Sequence, residues 1–238
     1  MPKNTPPDPI RVFVGCTNSE LIPYRVLKHS IQSRTKAKVE IRALMDFQHM
    51  IPRDLTGNIP FSFQRFLIPE ICKYKGRAIY LDSDMIVLGD IQELWDMGAL
   101  GYEVVAPGVD VGHQKVKFSV MVIDCSSCPW DIKGIAALLR KENVTYNQIM
   151  HELNCVNHKL TGNSRAWGRL EGVEYEEATK LLHYTNFSRQ PWKKRRDDPD
   201  ALLWYKELAA TVAAGDINAF ELADQRNRGY VTLDPKLF

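Results

Sequence analysis

Apolar runs of four to six residues alternate along this chain with stretches whose apolar positions recur every three or four residues. Residues 10–14 form a β-rich run that stops at Gly15, and the spacing of Val26, Leu27 and Ile31 predicts a helix reaching about residue 30, capped by Asn18 or Ser19. Residues 39–44 read as a second strand, which makes a β-α-β opening. Over residues 62–73, Phe63, Phe66, Leu67 and Ile71 mark a helix face, with Pro69 kinking that helix or lying near its start, and Arg65 falls opposite the stripe on the solvated side. Residues 78–81 fit a buried strand. Asp82-Ser83-Asp84 follows at once, and then a second apolar run, residues 85–88. Further strands are predicted at 103–106, 120–123 and 180–185, and helices at 91–97 and 130–140. Asp198 and Pro199 are a good N-cap and first-turn pair for a helix over 199–214, which Gly215 terminates. Strands alternating with helices define an α/β protein, and there is no internal repeat.

At 238 residues the chain has room for one compact domain with a small appendage, and 45% hydrophobic with 25% charged residues is ordinary globular usage. The 31 Lys and Arg against 29 Asp and Glu leave a net charge of +2, which gives no electrostatic case for nucleic-acid binding. No stretch is apolar enough to span a membrane and the first residues lack a secretory apolar core, so a cytoplasmic protein is expected. The odd, sparse set Cys16, Cys72, Cys125, Cys128 and Cys155 suggests free thiols.

The candidate chemistry lies in Asp82-Ser83-Asp84. In an extended segment residues i and i+2 project to the same side, so the two carboxylates meet at the end of a core strand. Two such charges need a cation between them, and hard Mg²⁺ or Mn²⁺ takes oxygen ligands while sharing its coordination with substrate phosphates. Turn chemistry alone also explains an Asp-Ser-Asp after a strand. His183 closes the late predicted strand, and a neutral imidazole beside two carboxylates suits Mn²⁺, which tolerates nitrogen better than Mg²⁺ does.

The strings FSFQRFLIPEICKYKG and RAIYLDSDMIVLGDIQELW resemble the region around the Asp-x-Asp motif of the GT-A-fold glycosyltransferases of the family-8 type, which include glycogenin and bacterial lipopolysaccharide galactosyl- and glucosyltransferases. RVFVGCTNSE resembles that family's nucleotide-base site, Arg65 falls in the helix the family uses to reach the donor sugar, and LLHYTNFSRQPW is similar to its late His-aromatic segment ending in Pro-Trp. The likeness spans residues 11 to 192 in the family's order. It implies a single Rossmann-like domain over residues 10–192, with a mixed sheet flanked by helices, after a flexible lead-in at 1–9 and before a C-terminal helical extension at 193–238. It also implies transfer of a hexose from a nucleotide sugar, usually UDP-linked, with retention of configuration, to a glycan or glycolipid acceptor that the sequence does not specify.

By the same resemblance Asp82, Asp84 and His183 hold Mn²⁺ or Mg²⁺, while Gly15, Cys16, Thr17, Tyr24, Arg65, Ser83, Arg189 and Gln190 contact the donor. Asn147 and Gln148 match the family's Asp-Gln pair near the anomeric carbon, and Asp110 matches an acidic position on the acceptor side. This sequence departs from the pattern in three places. Asn147 stands where an Asp is frequent, and an amide cannot serve as a carboxylate nucleophile. No aromatic residue other than Tyr24 presents itself to stack on the base. Arg189 and Gln190 precede Pro191 where the family has Gly and then Lys, Arg189 supplying the charge one position displaced. The basic run 193–196 reads as a solvated linker balanced by Asp197, Asp198 and Asp200, with peripheral membrane association as the most it could support. Two competing readings remain. Cys125, Cys128, Cys155 and His158 have the formal spacing of a Cys₃His zinc set, and a nucleotide-sugar-binding module without turnover would tolerate Asn147. Phosphatases with an Asp-x-Asp place it after their first strand, which Asp82 does not match.

Overall fold

Three apolar strands near the N-terminus carry the centre of the molecule. In the computed structural model, which describes residues 8–55, 61–108, 118–141, 144–162, 164–174 and 176–233, β1 (Ile10–Gly15) lies parallel to both β2 (Val39–Ala43) and β3 (Arg77–Asp82). α1 (Leu21–Gln32) joins β1 to β2, and the short α2 (Ile68–Ile71) precedes β3. After β4 (Met85–Val87) come α3 (Ile91–Met97), β5 (Val104–Ala106), β6 (Val120–Asp124), α4 (Ile132–Arg140) and β7 (Lys159–Thr161). The chain then forms β8 (Arg169–Leu170), β9 (Leu181–His183), α5 (Pro199–Ala213) and α6 (Ala219–Asn227).

The strands make a mixed six-stranded sheet of order β2-β1-β3-β6-β5-β7 and a three-stranded sheet of order β4-β9-β8. β6 runs antiparallel to β3 and β5, whereas β5 and β7 are parallel. Alternate β3 residues point to opposite faces. Ala78 and Tyr80 therefore join a core with Phe66, Trp130 and Ile135, while Ile79 and Leu81 join one with Leu27, Ile31 and Leu94. The mixed sheet flanked by helices is the expected fold class.

α1 is two-faced. Leu27 and Ile31 cover the main sheet, and Ile22 and Val26 pack in a third core with Ile86, Leu182, Trp192, Trp204 and Leu208. The C-terminal helices thus complete a core that begins in the first helix. Arg34–Glu207 at 2.7 Å, Arg25–Glu221 at 3.2 Å and His29–Asp216 at 2.9 Å line the same seam. Asp198 caps α5 as expected, accepting from the Ala201 N–H at 3.3 Å, and Gly215 takes the left-handed conformation just beyond it.

Several local expectations change. The helix predicted over 62–73 is a 3₁₀ turn at Gln64–Leu67 followed by α2, with Pro69 in its first turn where a missing N–H costs nothing. Left-handed Lys73, Tyr74 and Gly76 then turn the chain into β3. The tighter turn puts Arg65 inside the protein, 7% exposed, rather than on a solvated face. At the start of α1 the capping box is Thr17 with Glu20, instead of Asn18 or Ser19. β7 and β8, of three and two residues, are too short to show alternation in the sequence.

Candidate active site

β3 ends beside β1, with Gly15 opposite Asp82 in register, and the Ser83 N–H donates to the Gly15 carbonyl at 3.1 Å. A side chain at Gly15 would run into the Tyr80 hydroxyl and crowd the Phe61 ring, so the packing of these two rings against β1 favours glycine. Tyr80 lies on the same face of β3 as Asp82 and donates its hydroxyl to Asp82 Oδ1 at 2.5 Å. Arg65 stacks its guanidinium 4.7 Å from the centre of the Tyr80 ring and brings it to 3.7 Å from Asp82 Oδ1. It is held there by donating to the Ser62 and Phe118 carbonyls at 3.1 and 2.8 Å.

The second carboxylate comes from the two residues between β3 and β4. Because β4 pairs with β9, Met85 stands opposite His183 and the imidazole is delivered to the strand end across the smaller sheet. Oxygen atoms of Asp82 and Asp84 and a ring nitrogen of His183 all lie within 4.8 Å of one another, and among the described residues this is the group of three or more such side chains able to hold a metal ion. The three residues are 8%, 8% and 5% exposed. The β4–β9 pairing buries His183.

Burial pushes the Asp82 carboxyl above its ordinary range and the charge of Asp84 adds to this, while Arg65, His183 and the Tyr80 hydroxyl oppose it. Burial likewise opposes the imidazolium form of His183, yet nearby Asp84, Asp82 and Glu171 outweigh it and raise its pKa. His183 Nε2 lies 3.0 Å from Asp84 Oδ1 without the alignment of a hydrogen bond, so Oδ1 remains a buried acceptor with no donor. Two like charges, an imidazole nitrogen and an orphaned carboxylate oxygen at one point are a donor set that fits a divalent cation, which would add positive charge there.

The loop after β1 approaches the same strand end. Cys16 is fully buried, with its thiol pushed up to about 12 by burial, so this loop offers its backbone rather than its sulfur. Gln64 accepts from the Cys16 N–H at 3.1 Å and donates to the Cys16 carbonyl at 3.0 Å, clamping the loop to the turn that carries Arg65. Thr17 is engaged with Glu20, whose carboxylate accepts from the Thr17 N–H at 2.9 Å and also from its hydroxyl. Tyr24 packs in the α1 core with Cys16, its phenol raised to about 12 by burial. Ser83 is fully buried and its hydroxyl has no hydrogen-bond partner among the described residues.

After β9, Gln190 returns to the site. Its side-chain amide donates to Asp84 Oδ2 at 3.3 Å and to the Tyr184 carbonyl at 3.1 Å. Arg189 is exposed. Asn147 is exposed and Gln148 accepts from the Thr145 N–H at 2.8 Å while its own N–H donates to the Thr145 hydroxyl at 3.2 Å, a reciprocal cap on the π-helical turn Gln148–Glu152. Asp110 lies outside the described residues. Cys125, Cys128, Cys155 and His158 do not form a metal-holding group, and all five cysteines are free thiols. Sequence reasoning missed Tyr80, Gln64 and Tyr146, whose hydroxyl is 2.8 Å from the Ser62 hydroxyl. Tyr80 alone carried a signal, since its place two residues before Asp82 puts it on the same face.

A mixed sheet with an acidic pair at a strand end and a late histidine beside it is the arrangement of a GT-A glycosyltransferase, and the chain belongs to glycosyl transferase family 8, whose model matches residues 19–130. Protein CDI of Arabidopsis thaliana is 36% identical over 228 residues, covering 84% of this chain and 86% of that protein. Glycosyltransferase 8 domain-containing protein 2 of Mus musculus is 34% identical over 102 residues, 36% of this chain and 29% of that one. Among solved structures, the apo-form glycosyltransferase GlyE of Streptococcus pneumoniae matches with a TM-score of 0.61 at 16% identity, over 96% of this chain and 66% of that one. The galactosyltransferase LgtC, solved in complex with donor and acceptor sugar analogs, matches with a TM-score of 0.56 at 13% identity, over 87% and 100%. At these identities the two structures establish a shared fold. The protein is a glycosyltransferase.

Proposed function

We propose that this chain transfers a hexose from a UDP-sugar to a glycan or glycolipid acceptor, with retention of configuration and dependence on Mn²⁺. The observation that carries the reading is the meeting of Asp82, Asp84 and His183 within 4.8 Å, next to a buried Arg65. Residues 10–192 supply the donor-binding domain in this reading, and α5 and α6 pack on α1 and the smaller sheet. When bound at Asp82, Asp84 and His183, a divalent cation neutralises charge that builds on the leaving diphosphate.

The chain's own groups have separate duties in this reading. Gly15, Cys16 and Thr17 present backbone to the nucleotide, with Gln64 fixing Cys16. Arg65 is already anchored by two backbone carbonyls, so its guanidinium holds position without ordering cost when the donor's phosphates or sugar hydroxyls arrive. Ser83 offers an unpartnered hydroxyl and Arg189 an exposed charge for the diphosphate. Asn147 and Gln148 are polar enough to face a sugar, but Gln148 must first leave its cap on Thr145. Five free thiols accord with work in a reducing compartment such as the cytoplasm, and among the described residues no helix is long and apolar enough to cross a membrane.

A melting experiment tests this. UDP-glucose and UDP-galactose should raise the melting temperature with Mn²⁺ present and much less in EDTA, because a ligand that binds the native state stabilises it by mass action. GDP- and CDP-sugars should give smaller shifts. Equal shifts with and without metal would overturn the metal-dependent reading, and equal shifts with all three bases would overturn UDP.

A further inference from the structure

Gln190 is buried, and its position is set by backbone on both sides. Its carbonyl accepts from the Lys193 and Lys194 N–H groups at 2.9 and 3.0 Å. Trp192, two residues on, is fully buried against Trp204, with ring centres 5.3 Å apart. The side chain is therefore launched from a fixed point. Its Nε2 reaches two acceptors, Asp84 Oδ2 and the Tyr184 carbonyl, and since neither can donate, the amide has one workable orientation. The Tyr184 N–H in turn donates to the Asp84 carbonyl at 2.9 Å. Asp84 precedes β4 and Tyr184 follows β9, so the amide closes the end of that strand pair where two of the three candidate ligands leave it.

We infer that Gln190 is a positioning residue for the cation site: it occupies Asp84 Oδ2 and thereby leaves Oδ1, the orphaned oxygen nearest His183, as the ligand atom. Asp82 is held in the corresponding way on its Oδ1 by the Tyr80 hydroxyl. Tyr80 and Gln190 are both uncharged, so they fix the carboxylates without cancelling the negative potential that draws a cation; Arg65, 3.7 Å from Asp82 Oδ1, is the charged group that offsets part of it. A lysine in place of Gln190 would hold Asp84 equally well and weaken that potential. Outer partners of metal ligands commonly change affinity by about 10–100-fold.

The inference rests on the metal reading of Asp82, Asp84 and His183, and the test separates the two. Mn²⁺ alone, without nucleotide, is titrated into wild-type protein, Gln190→Met, Gln190→Asn, Asp84→Asn and Tyr205→Phe, with free Mn²⁺ read by electron paramagnetic resonance. Methionine keeps the volume and removes the donor; asparagine keeps an amide but is about 1.5 Å too short to reach Asp84, and serves if the methionine variant does not fold. Tyr205 anchors the same segment by donating to the Pro191 carbonyl at 3.1 Å and is a stability control away from the ligands. Both Gln190 variants should bind Mn²⁺ about tenfold more weakly and Asp84→Asn at least as weakly, whereas Tyr205→Phe should lower the melting temperature with affinity unchanged. Wild-type affinity in the Gln190 variants beside a weakened Asp84→Asn would overturn the inference alone. The same holds if Tyr205→Phe weakens Mn²⁺ as much as they do. Wild-type affinity in Asp84→Asn would overturn the metal reading beneath it.

Discussion

Along α1, Arg34 and Arg25 are about a third exposed and each meets one carboxylate from the C-terminal helices. At the end of β3, Asp82, Asp84 and His183 are each less than a tenth exposed, and two of the three are acids. The first region sets these arginines against opposite charges and keeps the guanidinium groups near water, although Glu207 is itself buried. The second takes two acids out of water against a single arginine, Arg65 beside Asp82, and also holds each acid with a neutral donor, Tyr80 on Asp82 and Gln190 on Asp84. Two buried acids against one arginine are a poor source of stability, and such a cluster marks a candidate binding site.

The largest effect that would test this contrast is at Arg65. As a solvated helix residue it would tolerate truncation; buried within 3.7 Å of Asp82 it should not. Arg65→Ala should cost about 2–4 kcal/mol in urea unfolding, because it strands a buried carboxylate, and should also weaken UDP-sugar binding by on the order of tenfold or more. A cost below about 0.5 kcal/mol, the level of an exposed site, would show that the pair contributes nothing to the fold.

An intermediate effect is expected from pH. The folded pKa values of both Asp82 and His183 are raised above their ordinary 3.8 and 6.5, so the native state holds more protons than the unfolded chain. For His183 this stability is complete below pH 6.5 and is lost as pH rises through the raised value. Metal-free protein should therefore melt at a lower temperature at pH 8 than at pH 6. Mn²⁺ should bind more tightly over the same rise, because the imidazole must give up its proton to ligate. A melting temperature that rises from pH 6 to pH 8 without metal would contradict the raised His183 pKa.

The smallest effect belongs to α1. Arg25→Ala, whose partner Glu221 keeps contact with water, should lose no more than about 1 kcal/mol and leave Mn²⁺-dependent donor binding unchanged; a loss of binding would mean that the seam and the site are coupled.

Much of the frame was readable from one sequence because apolar periodicity encodes it directly. The strands at β1, β3 and β6 and the Asp198 cap were plain in it, and so was the shared side of Asp82 and Asp84, which follows from strand geometry alone. Arg65 was found as a candidate but given the wrong environment, since a 3₁₀ turn rotates side chains differently from the α-helix that the spacing of Phe63, Phe66 and Leu67 suggested. Gln64 and Gln190 left no trace as positioning groups. Their roles depend on contacts 48 and 106 residues away along the chain, and an uncharged amide has no pattern that announces such a partner. Gln148 shows the reverse case: the Thr145-Tyr146-Asn147-Gln148 spacing is that of a capping box, and the structure uses Gln148 in that way.

The pairing of β4 with β9 has a consequence for how the protein is made. Met85 and His183 are opposite each other in the sheet but far apart in the order of synthesis. At about 5–20 residues per second, the acidic pair leaves the ribosome several seconds or more before the histidine that completes its group. During that interval the main-sheet strands β1, β2, β3 and β6 are all available to pair and α1 is available to pack on β4, while β4 has no strand partner. Growing chains stopped before residue 181 should thus present β4 as an unpaired edge, and the arrival of β9 both covers that edge and brings His183 to Asp84 in a single docking event.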